Sequence, residues 1–127
     1  MAGRDNLHRF GAYTKALDLF DRVVEDLAPL EGRWALARLV AQQLASADSI
    51  VANIEEGYGR GSSRDYAHFL VIARGSAQET AGRYARFGHW LTPEIVRQRV
   101  ALCDEIIGIL TVSITTLRNT PKPGPSP

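Results

Sequence analysis

The sequence predicts an all-α protein, an antiparallel up-and-down four-helix bundle, on three observations. Apolar residues recur at steps of three and four along four segments. Glycine and proline clusters separate those segments, and no stretch alternates apolar and polar residues as a half-buried strand would. The 127 residues supply one ordinary core, so the expected organisation is a bundle over 13–119. A short polar arm at 1–12 precedes it, and a disordered tail at 120–127 follows, where four of the six prolines stand.

The first helix is expected over Thr14–Leu27, with Ala16, Phe20, Val23, Val24 and Leu27 on its stripe and Pro29 and Gly32 ending it. The second runs from Arg33 to Glu56, where Ala37, Val40, Leu44, Ala47, Val51 and Ile54 form a heptad seam. Gly57, Gly59 and Gly61 stop it. The third starts at Ser62 or Ser63, with Asp65 placed for a capping box, and carries Tyr66, Leu70, Ala73, Ala77, Thr80 and Tyr84. Thr92, Pro93 and Glu94 have the form of N-cap, first helical position and first-turn acid for the fourth. Its seam is Val96, Val100, Cys103, Ile107, Leu110, Ile114 and Leu117.

The fourth helix has more apolar surface than one core requires, because Ile95, Leu102, Ile106 and Ile109 widen its arc; Leu36, Leu39 and Ile50 do the same for the second. A second apolar face in a small bundle meets another chain, or else the short first helix and the arm cover it. Self-association is the expected outcome.

Fifteen Lys and Arg against fourteen Asp and Glu leave a formal charge of +1, so global charge names no partner. One cysteine, Cys103, excludes an internal disulfide and any multi-cysteine metal site. Residues 1–10 hold two arginines and no apolar core, unlike a secretory signal, and no apolar run approaches the ~20 residues of a membrane span. The expectation is a soluble, reduced, cytoplasmic protein with no membrane partner. No cofactor is expected. Glu-x-x-His, the signature of a di-metal bundle, is absent, and His8, His68 and His89 are scattered. No nucleophile–base set appears, so no enzyme and no catalytic residue is expected; a small hydrolase is the least supported class.

Three features remain. Gly75 falls inside the third helix, where glycine costs up to about 1 kcal/mol against alanine; close approach of a neighbouring helix, or of a ligand, would offset it. The turn GYGRGSS ends the second helix, and either Ser62 caps the amides that follow or those amides, with Arg60 and Arg64, hold an anion. Asp48, Glu55, Glu56, Arg60, Arg74 and Glu79 can form a polar network between the second and third helices, with Arg74 the natural partner of Asp48 and Glu55. Charge is also uneven. Arg83, Arg86, His89, Arg97 and Arg99 gather where the third helix hands over to the fourth, as an ordinary solvated end or as a phosphate-binding patch that a ring of copies would multiply.

The string SADSIVANIEEGYGRGSSRDYAHFLVIARGSAQE resembles the signature of the bacterial "four helix bundle protein" family, whose members are encoded in intervening sequences of large-subunit ribosomal RNA genes. The matching positions are Ser49, Ile50, Asn53, Ile54, Glu56, Gly57, Gly59, Arg60, Phe69, Leu70, Ala73, Gly75, Ser76 and Glu79. Glu55, commonly alanine in the family, and Glu79-Thr80-Ala81 depart from the pattern. The resemblance implies an up-and-down bundle assembled as a barrel-like homopentamer. It also implies kinship to the accessory variability determinant of diversity-generating retroelements, a pentamer that binds nucleic acid and a reverse transcriptase. It carries no catalytic residue. Asn53, Glu56, Arg60, Ser76 and Glu79 are expected to serve helix termination and hydrogen bonding between helices or subunits. The resulting expectation is a non-enzymatic homo-oligomeric scaffold that binds RNA or DNA, or a reverse transcriptase; the alternative is a purely self-associating structural protein.

Overall fold

The computed structural model describes residues 6–121, and among these the fold consists of helices without strands. The four long helices are α1 (Gly11–Leu27), α2 (Ala37–Tyr58), α3 (Ser63–Arg86) and α4 (Pro93–Arg118). Each reverses the direction of the one before. α3 packs most extensively, against α2 on one side and α4 on the other, and α1 closes the square by touching α2 and α4. The connections 28–36 and 87–92 therefore share one end of the bundle, and the turn 59–62 sits at the other. Residues 1–5 of the expected arm and 122–127 of the expected tail lie outside the described residues.

Local chemistry sets the helix starts. Ser62 is extended and its Oγ accepts the Asp65 amide at 3.1 Å; Thr92 does the same for the Ile95 amide at 3.2 Å, with Pro93 next to it. α1 begins at Gly11, earlier than its periodicity suggests, and Leu7 and Ala12 are already buried. α2 begins later than expected. Arg33 is extended, a 3₁₀ turn over Trp34–Leu36 follows, and the helix proper starts at Ala37 once Leu36 is buried.

The seams hold with shifts of one position. On α1, Leu19 is fully buried while Val24 faces out; on α4, Ile106 is core and Ile107 only half-buried. The apolar excess on α2 disappears, since Leu36 and Ile50 are buried within the single chain and Leu39 packs at its edge. On α4 part of it persists. An 18-residue window has a mean hydropathy of 1.8, and only 22% of it is buried. By length and composition alone α4 could cross a membrane, contrary to the reading of the sequence as lacking any such run. The apolar residues are spread around the helix rather than gathered in one block, which hides them from a search for continuous runs.

The glycines exchange roles. A Cβ on Gly75 would meet nothing within 4 Å, so no neighbouring helix in this chain offsets its helix cost, contrary to expectation. The close approach is at Gly57. There a Cβ would lie 2.8 Å from the Phe69 Cβ and 3.2 Å from the Tyr66 carbonyl oxygen. α2 can end against the first turns of α3 only because position 57 has no side chain.

Gly57→Ala should therefore lower unfolding stability by about 1–3 kcal/mol, because backbone must move to admit the methyl. Gly75→Ala, measured in dilute subunit, should raise it by up to about 1 kcal/mol. Urea unfolding midpoints compare the two directly.

Candidate interaction surface

The α2–α3 interface is held by a ladder of polar groups. Within α2, Asn53 Nδ2 donates to the Ser49 carbonyl and Oγ at 2.8 and 2.9 Å; across the interface, Ser76 Oγ donates to Ser49 Oγ at 2.8 Å. One turn further, Thr80 Oγ1 and Ser46 Oγ are 2.8 Å apart, and Gln43 Nε2 donates to the Thr80 carbonyl at 2.9 Å. Arg83 completes the series. Its Nη1 donates to Gln43 Oε1 at 2.9 Å and Ser46 Oγ at 3.0 Å, while its Nε is buried without a partner among the described residues. Burial, and after it the neighbouring Arg86, pulls the Arg83 pKa below the usual arginine value. Gln43, Ser46, Ser76 and Thr80 are all buried.

A second polar tie fastens α1 diagonally. Asp26, 5% exposed at the end of α1, accepts the Tyr84 hydroxyl of α3 at 2.7 Å. It also accepts Arg99 Nε and Nη2 of α4 at 2.8 and 3.2 Å. The hydrogen bond to Asp26 raises the Arg99 pKa, and burial followed by that same carboxylate raises the Tyr84 pKa well above the ordinary phenol value.

The expected network between α2 and α3 takes a different form. Asp48 and Glu55 are exposed and not brought to Arg74. Glu55 accepts the Tyr13 hydroxyl at 2.7 Å, and Arg74 reaches Thr111 of α4 at 3.3 Å. Glu56 pairs with Arg60 at 2.6 Å, and the Arg60 guanidinium lies over the Phe69 ring, 4.8 Å from its centroid. Glu79 is exposed. Arg60 is thus committed to Glu56 and Phe69. A cavity of about 910 Å³ between the start of α3 and the end of α4 is lined instead by Ser63, Arg64, His68 and Arg118.

The five-residue basic patch is reduced in the same way. Arg83 and Arg99 turn their guanidinium groups inward, onto the ladder and onto Asp26. Arg86, His89 and Arg97 remain exposed; Arg86 donates to the Gly82 carbonyl, Arg97 pairs with Glu94, and His89 lies beside Trp90. Sequence reasoning did not single out Arg33 and Arg38, exposed at the same end and without an ion pair or side-chain hydrogen bond among the described residues.

Along α4 a shallow groove of about 520 Å³ runs past Gly108, Ile109, Val112 and Ser113, with the Lys15–Glu105 ion pair (2.9 Å) at its rim. Val112 is 68% exposed, and a Cβ at Gly108 would meet nothing. The start of α1 covers part of this strip, since a Cβ on Gly11 would touch Ile109 at 3.5 Å. Among the described residues no three His, Cys, Asp or Glu side chains are grouped as metal ligands.

These features define a class: an antiparallel four-helix bundle whose second and third helices are keyed by a polar ladder and whose fourth presents an outer apolar strip. Residues 9–112 match the family model described as 23S rRNA-intervening sequence protein, and the chain belongs to that family. No curated protein matches it.

Removing the Asp26 carboxylate strands a guanidinium and a phenol in the interior. Asp26→Ala should cost about 3–5 kcal/mol, whereas Tyr84→Phe should cost about 1 kcal/mol, both read from denaturant unfolding. Cys103 gives a pH test. Burial, with a smaller push from Asp104, moves its thiol from 9.0 up to about 12. The folded state therefore favours the protonated form. That contribution is complete below pH 9 and is lost as pH rises toward 12. Native protein should resist a thiol reagent at pH 8 until unfolded, and Cys103→Ala should flatten the fall in stability between pH 9 and 12.

Proposed function

We propose that this protein is a non-enzymatic scaffold that assembles with copies of itself through the outer strip of α4 and binds RNA at the end carrying the inter-helix connections 28–36 and 87–92. One observation carries the reading: α4 keeps a shallow apolar groove along Gly108, Ile109 and Val112, where Val112 projects into solvent beside an open Gly108. A strip of this kind, with small residues at its centre, suits close packing of another helix. A barrel-like pentamer is the assembly we infer. The dispersal of the reactive groups fits a scaffold: Cys103 is buried with a raised pKa, Glu55 and Arg74 bond to separate partners, and Asp48 is exposed.

RNA is favoured over a purely self-associating role by the cations exposed at one end: Arg33, Arg38 and Arg86, none in an ion pair among the described residues, with Arg97 beside them paired to Glu94. Repeated around a ring, this modest charge becomes a multivalent phosphate surface. A reverse transcriptase is the protein partner that the family kinship suggests.

Sedimentation at micromolar concentration should give a multiple of the 14.0 kDa subunit, and Val112→Glu should reduce it to one subunit with unchanged helical circular dichroism. A folded wild-type single subunit would overturn the assembly. RNA retention should fall steeply with salt and be lost in Arg86→Glu/Arg97→Glu; equal retention by that variant would remove the RNA role. Vesicle co-flotation of the wild type, abolished by Val112→Glu, would reassign the strip to lipid.

A further inference from the structure

We infer that the nucleic acid this scaffold takes is single-stranded, and that Trp34 is the platform on which its bases stack. The inference rests on the RNA reading above and makes it specific.

Trp34 is 89% exposed, far more than any other large apolar side chain of the described residues. Its ring has no aromatic partner among them. The segment that carries it is nevertheless well anchored. Leu30 and Leu36 are buried on either side, two 3₁₀ turns brace it, and Gly32 makes the bend with a φ of +86°. A tryptophan held out by a pinned turn keeps its indole in water, with no contact among the described residues that covers it.

The neighbours indicate what covers it. Arg33 precedes it and Arg38 follows one helical turn later, both exposed. Glu31 is the one carboxylate in the connection. A protein hot spot would sit at the centre of an apolar patch, yet the exposed residues next to Trp34 in sequence, Gly32, Arg33, Ala35, Ala37 and Arg38, include no other large apolar side chain. An isolated indole between guanidinium groups matches the alternation of a single strand, base against ring and phosphate against cation. The adjoining connection at the same end adds Trp90, 37% exposed, beside His89. A duplex keeps its base faces stacked on one another and offers none to Trp34.

The chain has two tryptophans, so Trp90→Phe, which keeps an aromatic ring at that position, leaves Trp34 as the sole indole reporter. Titration with a 30-nucleotide oligouridine at low salt should quench Trp34 fluorescence to saturation, while a blunt duplex RNA of equal length should leave it unchanged. Trp34→Ala should weaken oligouridine binding about tenfold or more, with Trp34→Phe retaining most of the affinity and both variants sedimenting as the wild type. Oligouridine that binds without quenching, or binds Trp34→Ala as tightly, overturns the stacking role while the RNA reading stands. A duplex bound more tightly than oligouridine also overturns it. No binding of either RNA brings down the RNA reading and this inference together. Trp34 fluorescence that responds to dilution and not to RNA would place it between subunits instead.

Discussion

The register between α2 and α3 is the constraint on which the rest of this bundle depends. Seams of alanine, valine and isoleucine at heptad spacing pack almost as well after a slide of one repeat, so apolar burial alone selects the register weakly. The rungs that cross between the helices, Ser49–Ser76, Ser46–Thr80, Gln43–Thr80 and Gln43–Arg83, select it more strongly. A slide breaks these rungs, leaving Ser46 and Thr80 only their intrahelical bonds to the Gln43 and Ser76 carbonyls, and a buried group left without a partner costs about 1–3 kcal/mol. Gly57 reinforces the choice from the other side, because only one alignment brings a residue without a side chain against Phe69 and Tyr66. α1 has fewer contacts and is held by other means: the Asp26 carboxylate reaches α3 and α4 together, which fixes the far corner of the square.

This arrangement also shows what a sequence conveys and what it withholds. The seams and the caps at Ser62 and Thr92 were legible because they depend on spacing and on residues a few positions apart. The ladder was not: the sequence offered Asn53 and Ser76 as hydrogen-bonding positions and Thr80 only as a seam residue. Gln43, Ser46 and Ser49 lie on one flank of the α2 seam, and in a sequence such polar residues are indistinguishable from solvated ones. Only the matching small residues on α3 turn that flank into an interface. The same blindness exchanged Gly57 with Gly75. A glycine at a helix end looks like a stop signal, and one in mid-helix looks like a contact, whereas the geometry gives the contact to the first. Leu19 and Ile106 displaced Val24 and Ile107 for a simpler reason, since a stripe read at fixed angular steps drifts by one residue over a long helix.

Charge was the least legible quantity, and it bears most directly on function. Counting placed five basic residues at one end. The fold takes two of them, Arg83 and Arg99, for its own interior, and their electrostatic surroundings follow from that use. What remains at the end is set by pairing. Arg97 shares its charge with Glu94, while Arg33 and Arg38 flank in sequence the exposed indole of Trp34. Ion pairing cancels acids and bases together, Asp26 with Arg99, Glu56 with Arg60, Glu105 with Lys15, Asp18 and Glu25 with Arg22, so what marks this end is that Arg33 and Arg38 stand exposed with no ion pair among the described residues. The formal charge of +1 averages over these commitments and says nothing about any surface. Assembly would sharpen the contrast. Copies joined through α4, which lies along the bundle's length, leave both ends free, so the side strip that drives association and the end that carries charge do not compete for the same surface.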